Sequence, residues 1–401
     1  MKVVRILAAA LVLLALAAAP ALAAGTIKIG AILAVTGPAA FLGAPEAKTL
    51  EMMVEDINRK GGIKGNKIEL IVKDSGGNPE KAFSFAKQLI DEDKVLAIIG
   101  PSTSGETMKI KNVAEEAKAI LMSCAAAEVI VNPVAKYVFK TPQMDKHAVI
   151  KIFEQMKAMK LSKAGVLSSN TGFGKAGKEQ IEKMAAEHGI TIVANEVYDK
   201  AATDLTAEVT KVKAANAEAI INWSIEPAQS IVIKNARQIG FKGPIFQSHG
   251  FGNIKYVEAA GEAAEGVIFP AGRLLVAEAL PKNHPQKALL MKYKKDYEAK
   301  YKEDVSTFGG HAYDAMVILQ KAIEKAGTDK EAVRNAIEGL KGVVGTAGVF
   351  TFSAQDHNGL GLDAFEMLTV KKGKFAVLEQ KAAPKKEEKK ETKKAASEKK
   401  K

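Results

Sequence analysis

From Ile27 onward, short runs of consecutive apolar residues alternate with longer stretches in which apolar positions recur every three or four residues. The short runs suit buried strands and the longer stretches suit amphipathic helices, so the alternation predicts β-α units on a mostly parallel sheet. Strands are expected at Ile27 to Leu33, Lys67 to Lys73, Val95 to Gly100, Ile120 to Ser123, Ala164 to Ser168, Thr191 to Glu196, Ala219 to Trp223, Pro244 to Gln247 and Gly266 to Phe269. The first helix carries Ala47, Leu50, Val54 and Ile57 on one face and stops at Gly61-Gly62. The second starts with Asn78 as N-cap and Pro79 at its first position.

This series runs twice, over Ile27 to Ser123 and over Ala164 to Phe269, which predicts two α/β lobes instead of one long sheet. Beyond it, Pro285 to Tyr301, Ala312 to Lys325 and Asp329 to Leu340 have helical periodicity, followed by β-like segments at Gly348 to Phe352 and Glu366 to Val370. Those helices are too few for a third core. They must pack back on the lobes, so the chain has to cross between the lobes several times.

Composition narrows the class. With 401 residues, 47% of them hydrophobic, the chain is long enough for two globular units of ordinary size. Its formal charge of +12 is unevenly placed: ten lysines against four glutamates from 380 to 401 carry six of those charges, and Lys2 and Arg5 carry two, leaving +4 for the body. The lysine tail has no hydrophobic periodicity and no interleaved aromatic, which suits a solvated tail and argues against nucleic acid as a partner. Lys2 and Arg5, the apolar run Ile6 to Ala19 and the small residues up to Ala23 read as a secretory signal peptide cut after Ala23. The only cysteine, Cys124, excludes an intramolecular disulfide and lies far from the cleavage site a lipoprotein would use. Its neighbours Ala125 to Ala127 lend it no charge, so it reads as a buried structural thiol. A free periplasmic protein is expected.

Candidate chemistry is sparse. Gly172-Phe173-Gly174-Lys175-Ala176-Gly177-Lys178 follows a strand, opens a helix and matches both G-x-G-x-x-G and most of a P-loop. The P-loop reading fails at Glu179, which stands where a hydroxyl must meet Mg²⁺, and an exported protein has no free supply of dinucleotide. His147, His188, His284 and His357 sit in polar, surface-like contexts, and His311 opens a helix. No spacing suggests a metal site or a G-x-S-x-G elbow, so neither an enzyme nor a cofactor is expected. What remains are small polar residues after strands, where open α/β sheets bind ligands. Gly100-Pro101-Ser102-Thr103-Ser104-Gly105 is the sharpest, with hydroxyls and helix-start N–H groups suited to a carboxylate, or simply to capping the helix.

Taken in order, Thr36-Gly37-Pro38 with Phe41 and Gly43, Asn58 to Gly65, Gly100 to Ser104, Phe173-Gly174, Asn235 to Gly240, Ala263 to Gly266 and Tyr313 to Ala315 make a pattern spanning Thr26 to about Leu378. This pattern resembles the periplasmic leucine/isoleucine/valine-binding proteins, the type I substrate-binding components of ABC importers. The resemblance implies two Rossmann-like lobes joined by three crossovers, with the ligand in the interlobe cleft. It implies lobe 1 from 26–145 plus 274–350, lobe 2 from 146–273 plus 351–379, and a tail at 380–401.

It also implies a monomer that delivers a small hydrophobic amino acid to a membrane permease and its ATPase. Ser102 and Ser104 and the backbone of Ala125 and Ala127 would hold the ligand carboxylate. Phe41 and Phe173 stand where the family usually has a cleft Tyr, and Asn222 and Trp223 would complete the wall, with core packing the alternative for Trp223. Two positions depart from the family pattern: Ala127 replaces a Thr, and His249 replaces the acid that pairs with the ligand's ammonium. An aromatic or other small carboxylate without the amine is therefore the alternative ligand. An exported sensor of the same fold is the alternative role.

Overall fold

The computed structural model describes residues 25–379. The signal peptide and the lysine-rich tail expected from the sequence lie outside them. Among the described residues no helix is long and apolar enough to cross a membrane.

The first lobe is built on β1 (Thr26–Leu33), β2 (Lys67–Asp74), β3 (Ala97–Ile99), β4 (Ile120–Ser123) and β5 (Val138–Lys140), a parallel sheet in the order β2-β1-β3-β4-β5. β1 is central, and Ile29, Ala31, Ile32 and Leu33 are fully buried, which is why it reads as a continuous apolar run. The edge strand β2 alternates instead. Helices α1 (Ala40–Arg59), α2 (Pro79–Lys87) and α3 (Ser104–Glu116) connect these strands. The Asn78 side chain accepts from the N–H groups of Glu80 and Lys81, as its position before Pro79 predicts.

The second lobe repeats the plan with α4 (Asp145–Ala158), β6 (Lys163–Ser169), α5 (Gly172–Ala185), β7 (Thr191–Tyr198), α6 (Thr206–Ala214), β8 (Ala219–Trp223), α7 (Ala228–Gln238), β9 (Ile245–Gln247), α8 (Ile254–Ala260) and β10 (Ile268–Ala271). The chain then supplies α9 (Lys287–Tyr301), α10 (Thr307–Ala326), α11 (Lys330–Glu338), the short hairpin β11 (Val343–Val344) and β12 (Val349–Phe350), and β13 (Glu366–Lys371) with β14 (Lys374–Val377). The second sheet runs β14-β13-β10-β9-β8-β6-β7, antiparallel only at β10-β13 and β13-β14.

Each predicted strand is present within about two residues, whereas β5, β14 and the two-residue β11 were not expected. β5 is three residues long and ends in a lysine, and β14 is a half-buried hairpin edge. Neither produces a clear period.

Two large cores separate the lobes. One joins β1, β3 and β4 to Ala312, Met316, Leu319 and Ile323 of α10, and the other joins α4 to β6, β8 and β10. The chain passes between them three times, first at 141–144 and again after β10. The third passage falls between Ala364, in the first core, and Phe365, in the second, so residues 351–364 pack with lobe 1 instead of lobe 2. Gln143 ties the passages together: its Nε2 donates to Ala347 O (2.8 Å) and Ala364 O (3.3 Å), and Asn358 Nδ2 donates to Pro142 O (2.8 Å). His357, expected in a surface-like context, is fully buried in this region, stacked on Phe139 at 4.1 Å with Nδ1 against Val138 O. No local sequence pattern reports that burial.

Candidate functional site

Both sheets reverse strand order at the same point, between the first and third strands of the lobe: β1 and β3 in one, β6 and β8 in the other. Loops leaving the carboxyl ends of such strands diverge and leave a crevice. Here the two crevices face each other. Thr103 caps α3 by bonding the Glu106 N–H, with the Glu106 side chain returning to Thr103, and Thr171 caps α5 through the Gly174 N–H (3.2 Å). The two helix N-termini thus meet across the interface, where Gly172 abuts Gly105.

Between the lobes lies a void of about 20 Å³, room for a single water. Ser102, Ser104 and Ala125 line it from the first lobe, and Phe173, Ile225 and His249 from the second. Leu42, Cys124, Phe308 and His311 also reach it. Past Phe173 and Ile225 the cleft widens into a mouth of about 220 Å³ bordered by Thr103, Asn170, Lys200 and Glu226.

The predicted site residues divide into two groups. Ser104, the first residue of α3, accepts the Ala127 N–H on its Oγ (3.3 Å), so its hydroxyl proton is free to face the cavity. Ser102 is committed: its Oγ accepts from the Ala34 N–H (3.0 Å) and bonds the Glu46 carboxyl. The Ala125 N–H already donates to Ser123 Oγ (3.1 Å), and Ala127 is fully buried in the first lobe. Phe41 does not line the cavity: its ring packs edge-on to Tyr256 (5.2 Å), and its carbonyl accepts from Asn253 Nδ2 (2.8 Å) of the second lobe. Asn222 is spent in the core, accepting from Tyr198 OH and donating to Gln247 Oε1, both at 2.9 Å. Trp223 is fully buried behind Phe173 and His249, 5.7 Å from each ring.

His311, Ile225 and Leu42 were not expected at the cavity. His311 was visible only as a helix-opening residue, and no sequence signal shows that α10 of the first lobe reaches the cleft.

The glycine motif is a packing device. A Cβ on Gly174 would stand 2.0 Å from Ser169 O, one on Gly177 would stand 2.1 Å from Trp223 Nε1, and one on Gly172 would stand 2.8 Å from Gly105. Each glycine admits a neighbour, and no phosphate cradle is needed to explain them.

The electrostatics favour an anion. Lys140 is fully buried, and its ammonium donates to the carbonyls of Ala126 (2.7 Å), Pro142 (3.0 Å) and Gln143 (3.2 Å), directly behind the cavity wall. Burial pulls its proton affinity down, opposed by Asp145, whose own carboxyl burial pushes up. Burial also drives His249 well below the ordinary histidine range and His311 down to about 3, with Lys140 adding to both, so both rings are neutral. Glu46 is pushed up to about 8 by burial, against the Ser102 hydrogen bond, and carries its proton at neutral pH. Cys124 is buried with its thiol raised well above its usual value, an inert wall residue. Among the described residues no cluster of His, Cys, Asp or Glu is arranged to hold a metal.

Two doubly wound lobes, three passages and a crevice between facing switch points define a two-lobe binding protein. The chain belongs to the periplasmic binding protein family, whose sequence model matches residues 26–374. It is 26% identical over 366 residues to Leu/Ile/Val-binding protein homolog 3 of Brucella melitensis, covering 88% of this chain and 94% of that protein. It is 28% identical over 322 residues to the leucine-, isoleucine-, valine-, threonine- and alanine-binding protein of Pseudomonas aeruginosa, covering 79% and 83%. Among solved structures, an extracellular ligand-binding receptor of Rhodopseudomonas palustris HaA2 superposes with a TM-score of 0.83 at 27% identity, covering 88% of this chain and 99% of that one.

Proposed function

We propose that the protein is the solute-capturing component of an ABC importer, a periplasmic monomer that closes on a small apolar carboxylate and presents it to a permease. The branched-chain amino acids named for the two relatives belong to this ligand class. The observation that carries the reading is the position of Ser104, at the N-terminus of α3, on the cavity wall, with Lys140 behind the part of that wall formed by Ala126 and Pro142. Helix N-terminal N–H groups and a serine hydroxyl suit a carboxylate.

The mechanism follows from how the lobes touch. The void is far smaller than any amino acid, so a ligand enters only as the lobes part about the three passages. Closure then restores the interlobe contacts from Asn253 to Phe41 O and from Gln180 Nε2 to Glu128 Oε2 (2.9 Å). A ligand touching both Ser104 and the Phe173–His249 side stabilises the closed arrangement by its differential contact with the two states.

Thermal-shift screening of ligand-stripped protein against leucine, isoleucine, valine, phenylalanine, benzoate, hydroxybenzoates and short keto acids tests the reading. At least one should raise the melting temperature, and Ser104→Ala should weaken that ligand by about 1 to 3 kcal/mol, the scale for a hydrogen bond to a charged group. No response from any of them, or an unchanged affinity in the variant, removes the carboxylate site from Ser104.

A further inference from the structure

The cavity offers a ligand few polar atoms, and their chemistry discriminates within the carboxylate class. His249 is 7% exposed, and neither Nδ1 nor Nε2 has a hydrogen-bond partner. His311 is 5% exposed, and its Nδ1 is likewise unpaired. Both rings line the same void. Phe173, Trp223 and Phe365 hold the His249 ring edge-on at 5.4, 5.7 and 5.6 Å, fixing it in place while giving it no polar partner. A neutral imidazole offers one donor and one acceptor and no charge. Buried polar atoms of this kind are normally paired, so three unpaired nitrogens on two rings that line one void point to a ligand that supplies partners when the lobes part.

No acidic residue lines that void. Glu46 stands behind Ser102, hydrogen-bonded to it. Glu226, at the mouth, commits Oε2 to Ser224 Oγ (2.7 Å) and the Ile225 N–H (3.3 Å). Behind the wall the Lys140 amine nitrogen bonds the Ala126 carbonyl. An ammonium drawn into this space would be desolvated with no carboxylate lining the void to pair with, which burial penalises heavily. A keto or hydroxyl oxygen in the same place is fully served by an imidazole.

Resting on the reading of the cleft as a small-carboxylate site, we infer that its ligand is a 2-oxo, 2-hydroxy or ring-hydroxylated carboxylic acid with no amino group, its oxygen hydrogen-bonded by His249 and His311. The carboxylate faces Ser104 and the start of α3, and the apolar body lies against Phe173 and Ile225.

Matched ligands that differ only at C2 test this by isothermal titration calorimetry of ligand-stripped, full-length mature protein at pH 7.5. The pairs are leucine with 4-methyl-2-oxopentanoate, and phenylalanine with phenylpyruvate and 3-phenyllactate, with 4-hydroxybenzoate against benzoate as a control for ring hydroxyls. The oxygen-bearing acid should bind at least about tenfold tighter than its amino or unsubstituted counterpart in one of these sets. His249→Phe, which keeps the ring contacts, should erase that preference, and His249→Gln, which keeps a donor and an acceptor, should retain most of it. Amino acids binding as tightly as or tighter than their oxo and hydroxy counterparts overturn the inference while leaving the small-carboxylate reading intact, as does loss of amino-acid binding in Glu226→Gln. Binding by none of the acids overturns both.

Discussion

Gly172 and Gly105 face each other across the cleft at a close approach of the two lobes, and the contact is asymmetric. A Cβ on Gly172 would lie 2.8 Å from both Cα and N of Gly105, whereas a Cβ on Gly105 would meet nothing nearer than Gly172 N at 3.9 Å. The atoms in the way are backbone, so they cannot rotate aside. Gly172→Ala should therefore wedge the lobes apart without disturbing either core. Ligand affinity should drop about tenfold, the equivalent of about 1.4 kcal/mol, mostly through faster dissociation. Gly105→Ala should stay within about threefold of the native protein. Stopped-flow binding of the two variants checks this, and equal effects would show that the lobes do not close to this contact.

Gly177 plays a comparable part inside the second lobe. Its missing side chain leaves space for the fully buried Trp223 ring, three atoms of which lie 2.1 to 2.3 Å from where a Cβ would sit. Gly177→Ala should destabilise the protein by about 1–3 kcal/mol, the usual penalty for overpacking a dense core. Trp223 is the chain's single tryptophan, so urea denaturation followed by its fluorescence reads the lobe directly. A midpoint equal to the native one would mean that the ring has room to retreat.

The Glu46–Ser102 pair makes stability depend on pH in a direction opposite to that of an ordinary surface carboxylate. In the folded protein Glu46 keeps its proton to about 8, while unfolded it releases it near 4.5. Between those values the folded state holds more protons than the unfolded state, so stability falls as pH rises through the window, by up to about 1.4 kcal/mol per pH unit. Below pH 4.5 this contribution is fully present. Urea midpoints measured from pH 5 to 8 should decline in the native protein and decline less in Glu46→Gln, which keeps the shape and cannot ionise. A parallel decline in both would assign the effect to other groups.

Much of the architecture was readable because its causes are local. Strands buried on both faces must be apolar throughout, helices on a sheet must be apolar on one side, and Asn78-Pro79 or Gly61-Gly62 can do little other than begin or end a helix. Repetition of that pattern predicted two lobes, and three surplus helices predicted the crossings. At the site, the loop after β3 that carries Ser104 was legible as a strand end facing a crevice, whereas Ala125, Phe173 and His249 were expected at the cavity only through the resemblance.

The tertiary structure decided whatever depends on atoms brought from far along the chain. Lys140 looks like the polar end of a weak segment until three carbonyls surround it. His311 becomes part of the cavity only because α10 packs back on the first lobe, and Asn222 and Trp223 are withdrawn from it because Tyr198, Gln247 and Gly177 claim them. The three glycines suggested a phosphate loop by their spacing alone; their neighbours, Gly105, Ser169 and Trp223, show that the spacing meets three separate close approaches. Periodicity and punctuation report what a segment needs, whereas pairing, burial and hydrogen-bond satisfaction belong to partners that the local sequence does not contain.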